Sequence, residues 1–169
     1  MVGVLAIDST KSGERPTRTS RPVRVELWVP SGKRNEFDAV VARLDDAVEH
    51  GVVDEYTVET WDRFVDLSGR LTPRERRIRD KLSSYARWSA DHGRHLPGLG
   101  DPITRGVGRM GPERTTRRVP RGVMAEYEDG VLSYVTACEE CVGAFRARLD
   151  ELVSQSESEW SNGPIRVEW

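Results

Sequence analysis

Alternation between apolar and polar positions is sharpest near the start of the chain, where Val23, Val25, Leu27 and Val29 fall on one side of an extended segment and Arg24, Glu26 and Trp28 on the other. That period of two predicts a strand. Beyond the turn from Pro30 to Lys33 the period changes. Phe37, Val40, Val41, Leu44 and Val48 recur at helical spacing, which predicts a helix from about Asn35 to His50 that Gly51 ends. Residues 54 to 67 are rich in Tyr, Val, Thr and Trp and read as a strand that Asp62 and Arg63 break into two pieces. A second helix has the clearest boundaries: Thr72 as N-cap, Pro73 at the first helical position, Glu75 completing a capping box, and a stop at Asp91 to Gly93. Its apolar stripe is Ile78, Leu82, Tyr85 and Ala86 or Ser89.

From Arg94 to Pro112 glycine and proline dominate, predicting a long loop whose scattered apolar residues make no face. Two strands are expected next, Arg117 to Tyr127 and Val131 to Val135, joined as a hairpin by Glu128, Asp129 and Gly130. A third helix is predicted from Cys138 to Val153 with Val142, Phe145, Leu149 and Leu152 inward. Ser154 to Asn162 then reads as a polar linker before a short alternating end, Ile165 to Trp169.

These elements predict an α+β domain, a two-layer α/β sandwich in the order strand, helix, strand, helix, strand, strand, helix. Residues 1–22 are expected to form a flexible basic N-terminal arm, 23–153 a single domain with a long basic loop at 94–114, and 154–169 a linker with a short strand. With 169 residues and 37% apolar content the chain can bury one core of ordinary size. No apolar run approaches membrane length, and Val2 to Ile7 lacks the flanks of a signal peptide, so a soluble cytoplasmic protein is expected. Cys138 and Cys141 are too close to supply a disulfide framework, which fits a reducing compartment.

Charge alters this picture, because the formal net charge of −2 hides a strong segregation. Residues 68–122 hold fourteen Arg or Lys against five acids, whereas 36–67 and 125–160 sum to −8 and −7. A molecule polarised in this way usually has a charged partner. One basic cluster, Arg74, Arg76, Arg77 and Arg79 with Lys81, crowds the start of the second helix, where the dipole already places positive charge. Phosphate would compensate it, and so would the protein's own acidic segments. The second cluster, Arg105, Arg109, Arg114, Arg117, Arg118 and Arg121, is threaded through the loop and into the following strand, a pattern suited to a phosphate backbone. The loop has no aromatic residue for base stacking, so backbone contacts are expected. An Arg-rich composition, 23 Arg to three Lys, would also look like this in a solvated loop from a GC-rich genome.

Catalytic chemistry finds little support. His50, His92 and His95 fall at helix ends, adjacent carboxylates such as Asp45 with Asp46 diverge on a helix, and no glycine-rich phosphate loop follows a strand. Neither a cofactor nor a metal is expected. Cys138, Cys141, His92 and His95 are the four zinc ligands the chain could offer, and their wide separation counts against them. Cys138 at a predicted helix start also suggests a redox thiol, which the intervening Glu139 and Glu140 disfavour.

The run from Arg24 to Val29, the helix carrying Arg43, Leu44 and Asp45, the strand Asp54 to Trp61, Arg76 to Arg79 before Ala86 to Ser89, and Val123 to Gly130 together resemble the small haloarchaeal proteins known as helix-turn-helix domain proteins, over about residues 23–153. The resemblance implies a cytoplasmic protein of salt-adapted cells with a role in transcription regulation. Read from the residues themselves, a strand rather than a short turn separates the first two helices. A winged arrangement, with the second helix for recognition and the hairpin as wing, remains open. The expected partner is the phosphate backbone of DNA or RNA. The alternative is an assembly module that docks on an acidic protein surface or forms a homodimer; no membrane is involved.

Overall fold

The computed structural model describes residues 22–105, 114–140 and 142–161. The chain opens as a β-α-β unit. Strand β1 (Val23–Pro30) leads through a 3-10 turn (Arg34–Phe37) into helix α1 (Asp38–Glu49), and β2 (Glu55–Trp61) returns parallel to β1. Parallel neighbours need a crossover, and α1 supplies it. Then come β3 (Phe64–Asp66), α2 (Pro73–His92), β4 (Ile103–Arg105), β5 (Arg114–Arg118), β6 (Gly122–Glu128), β7 (Val131–Cys138) and α3 (Gly143–Ser161). They build two sheets, a four-stranded one in the order β2-β1-β6-β7 and a small antiparallel one in the order β3-β5-β4.

The α+β class holds, but helices cover both faces of the four-stranded sheet, so the expected two layers are three. Val25, Leu27, Val29 and Met124 pack against Val40 and Leu44 of α1 and Phe145 and Leu149 of α3. On the opposite face Trp28, Val123, Ala125 and Ala137 meet Ile78, Leu82, Tyr85 and Trp88 of α2. Trp28 and Trp61 stack there with ring centroids 5.0 Å apart. The polar lettering of the second face of β1 suggests solvent. It is buried because α2 brings a cation to its carboxylate: Lys81 Nζ lies 3.0 and 2.9 Å from the two oxygens of Glu26, which is 1% exposed. The face beneath α3 repeats the device. Glu126, 3% exposed, receives two hydrogen bonds from Arg148, from Nε at 2.8 Å and Nη2 at 3.0 Å.

Caps and turns follow the sequence closely. Thr72 Oγ1 accepts from the Glu75 amide at 3.2 Å, and Gly93 ends α2 in the left-handed region. Asp129 and Gly130, with φ of 53° and 79°, turn β6 into β7 as a two-residue hairpin requires.

Elsewhere the expected boundaries move. The strand expected from Arg117 to Tyr127 divides around Pro120 into β5 and β6, which join different sheets. Residues 94–105 are not a free loop: Leu96 is buried in the α2-side core and Ile103–Arg105 pairs with β5. The rest of the expected loop, 106–113, lies outside the described residues, as do the N-terminal arm through residue 21 and the short strand at 165–169. Helix α3 starts at Gly143 rather than Cys138, because β7 continues through Cys138. It also runs to Ser161, through the stretch that reads as a linker. Polar contacts one turn apart accompany that extension, Gln155 with Glu151 and Ser158 with the Ser154 carbonyl. No helix among the described residues is long and apolar enough to cross a membrane.

Candidate nucleic-acid interface

The two arginine clusters occupy different settings. At the start of α2, Arg74 donates to the Thr60 carbonyl at the end of β2, Arg77 pairs with Glu59 of β2 at 2.9 Å and lies over the Trp28 ring, and Arg79 pairs with Asp80. Much of the charge that crowds the helix start is thus met by the protein's own oxygens. Arg76 differs, being exposed with no side-chain partner among the described residues. It lines an open depression of about 600 Å³ with Arg77, Lys81, Ser84 and Tyr127.

The second cluster gathers on and beside the small sheet. In the register of the ladders Phe64 lies opposite Arg118, Asp66 and Ile103 opposite Thr116, and Arg105 opposite Arg114. Residues paired across antiparallel strands project to the same side, and so do positions two apart along a strand. Phe64, Ile103, Arg114, Thr116 and Arg118 therefore share one face, and together they line a depression of about 410 Å³. Both apolar members are in water, Phe64 at 64% and Ile103 at 53% exposure. The opposite face turns inward: Val65 is buried in the core and Arg117 donates from Nε to the Gly100 carbonyl at 2.9 Å.

Glu139, just past β7, fastens the small sheet to the large one. Its Oε2 takes Arg63 Nη2 and Arg118 Nη2, each at 2.9 Å, while Oε1 accepts the Arg121 amide at 3.1 Å. Gly98, with φ of +84°, lets this carboxylate pass, since a Cβ there would stand 1.8 Å from Glu139 Oε1. The Arg121 side chain reaches Glu36 instead, and that hydrogen bond holds the Glu36 carboxyl below its ordinary range. Asp66, the acid on the exposed face, is held low first by hydrogen bonds from the Ser68 hydroxyl and amide and then by the charge of Arg114. Two arginines share one carboxylate, and Arg114 makes no hydrogen bond to an acid among the described residues, so the surface keeps a positive excess. Arg109 lies outside the described residues.

Among the described residues there is no group of three or more His, Cys, Asp or Glu placed to hold a metal, so Cys138, His92 and His95 do not come together as ligands. Cys138 ends a strand and is buried in the core rather than opening a helix. Cys141 lies outside the described residues. His92 stacks on Trp88 at 4.7 Å, and its Nδ1 lies 2.9 Å from the Trp88 carbonyl.

Sequence reasoning missed Phe64, Ile103, Arg63 and Glu139. The available signal was the triplet Phe64, Val65, Asp66: after the break at Asp62 and Arg63, with Val65 inward, a period of two puts Phe64 outward. The partnership with Ile103 and Arg118, distant in sequence, had no local signal.

Every pair of successive α-helices in the described residues is separated by at least one strand, so two helices joined by a short turn do not occur there. No curated protein and no solved structure matches the chain. A protein family described as a helix-turn-helix domain matches residues 17–159, nearly the whole of both sheets and their helices, and the chain belongs to that family.

Proposed function

We propose that the protein is a DNA-associated transcription regulator that grips the phosphate backbone through arginines of the small sheet, Arg105, Arg114 and Arg118, with Arg109 in the same connection and Arg76 on α2. The observation that carries the reading is the positive excess beside Glu139, where Arg63 and Arg118 divide one carboxylate and Arg114 has no hydrogen-bonded acid. Membership of a helix-turn-helix domain family supports DNA as the partner. Arg74, Arg77, Arg79, Arg117 and Arg121 meet oxygens of the protein itself; Arg118 gives Nη2 to Glu139 and would meet phosphate through its remaining guanidinium donors.

Phosphate contacts release counterions, so affinity must fall linearly on a logarithmic salt scale. In fluorescence anisotropy with a short labelled duplex, Arg76→Ala with Arg114→Ala should weaken unrelated sequences alike and reduce the salt slope by about one unit per lost contact. Absent or salt-independent binding by the parent chain would overturn the reading. The alternative, an assembly module, draws support from the exposure of Phe64 and Ile103 and calls for self-association without DNA binding.

A further inference from the structure

We infer that the outer face of the small sheet is a stacking platform for unpaired bases, so that the DNA this protein holds there is single-stranded. The inference rests on the DNA reading above and adds to it the state of the strand.

The Phe64 ring, 64% exposed on an edge strand, shares one face with the exposed Ile103, and the internal contacts that bury Trp28, Trp61 and Trp88 do not extend to it. Phe64 and Ile103 stand on the two outer strands, which lie about 10 Å apart across β5, and are offset by two residues along it. Arg114, Thr116 and Arg118 rise between them from β5. A base lying flat on Phe64 would leave its phosphate beside Arg118, the residue directly opposite in the ladder. The next apolar support along the strand is Ile103, reached past the Thr116 hydroxyl, with Arg114 beyond. Alternation of an aromatic ring with cations is the arrangement by which single strands are held without sequence preference.

Charge decides against an apolar protein partner. Two exposed apolar side chains flanked by Arg114 and Arg118 offer far less apolar surface than the roughly 800 Å² per partner that a stable protein interface needs. A duplex presents its bases edge-on within grooves and cannot lay a base face on Phe64 without unstacking it.

The full chain should be titrated into labelled oligo-dT and into a duplex of equal length, as parent and as Phe64→Ala, Phe64→Leu and Phe64→Tyr. The parent should bind oligo-dT more tightly than duplex. Phe64→Ala and Phe64→Leu should each lose about tenfold or more on oligo-dT, Phe64→Tyr should stay within about twofold, and duplex binding should change little. Equal losses on both DNAs, no loss for Phe64→Ala, or rescue by leucine would overturn stacking while leaving salt-dependent phosphate binding intact. Tighter binding of oligo-U than oligo-dT would overturn the assignment to DNA. Absence of binding to either DNA would overturn both readings. A parent dimer that Phe64→Ala converts to monomer, with DNA binding unchanged, would assign the face to a second copy of the chain.

Discussion

The four-stranded sheet buries two glutamates, while the three-stranded sheet beside it leaves a phenylalanine in water. Glu26 and Glu126 sit on opposite faces of neighbouring strands, each under a helix that delivers its cation, Lys81 from α2 and Arg148 from α3. On the small sheet the logic is reversed. Its inner face is used up by Val65 and Arg117, and its outer face carries Phe64, Ile103 and arginines that no helix covers. Charge in the first region joins layers through one cation for each buried carboxylate; in the second Arg63 and Arg118 share Glu139, and Arg114 has no hydrogen-bonded acid among the described residues. Mutations should therefore divide, with large stability effects in the first region and large binding effects in the second.

Arg148→Ala should show the strongest loss of stability, about 3–5 kcal/mol by chemical denaturation, because it strands the Glu126 carboxylate in the core. A loss comparable to that of an exposed pair would mean that Glu126 reaches water. At the junction of the regions, Gly98→Ala should cost about 1–3 kcal/mol, since it adds a side chain at positive φ and drives one into Glu139. It should weaken DNA binding as well, through the displaced Arg63 and Arg118; intact binding would separate the clamp from the binding surface.

The two buried glutamates should answer pH in opposite directions. Burial pushes the Glu26 carboxyl up, but Lys81 and Arg24 outweigh it and hold the group below its ordinary range. Its contribution is therefore present above the ordinary carboxylate range and disappears as the pH falls through the lowered value. For Glu126 burial outweighs Arg148 and the carboxyl is raised. Folding then favours the protonated form, and that advantage is lost as the pH climbs from the ordinary value through the raised one. Thermal melts should show Glu26→Gln removing part of the acid-side loss and Glu126→Gln removing part of the decline with rising pH; the same pH response in both variants would contradict these environments. The smallest stability effect belongs to Phe64→Ala, within about 0.5 kcal/mol of the parent, because the ring contributes little to the core.

The same division explains what could be read in advance. Alternation marked β1, periodicity marked α1, Thr72 and Gly93 bounded α2, and Asp129 with Gly130 marked the hairpin, all through local interactions. The third layer was hidden because Glu26 looks like a solvent residue until Lys81, far along the chain, is placed against it. Trp88 escaped the predicted α2 stripe, which turned to Ala86 or Ser89 although the ring lies one helical step from Tyr85. Leu96 was obscured by the surrounding Gly and Pro residues. Arginine content drew attention to residues 105–121, but the exposed ring beside them comes from β3, and only long-range strand pairing brings it there.

Amide hydrogen exchange of the full chain, with and without oligo-dT, tests the central claim most directly, because it locates the ligand without altering a residue. The account predicts slowed exchange at 64–66, 103–105 and 114–118, with little change in the buried strands β1 and β6. Slowing confined to α1 or the β6–β7 hairpin, with the small sheet unaffected, would contradict it.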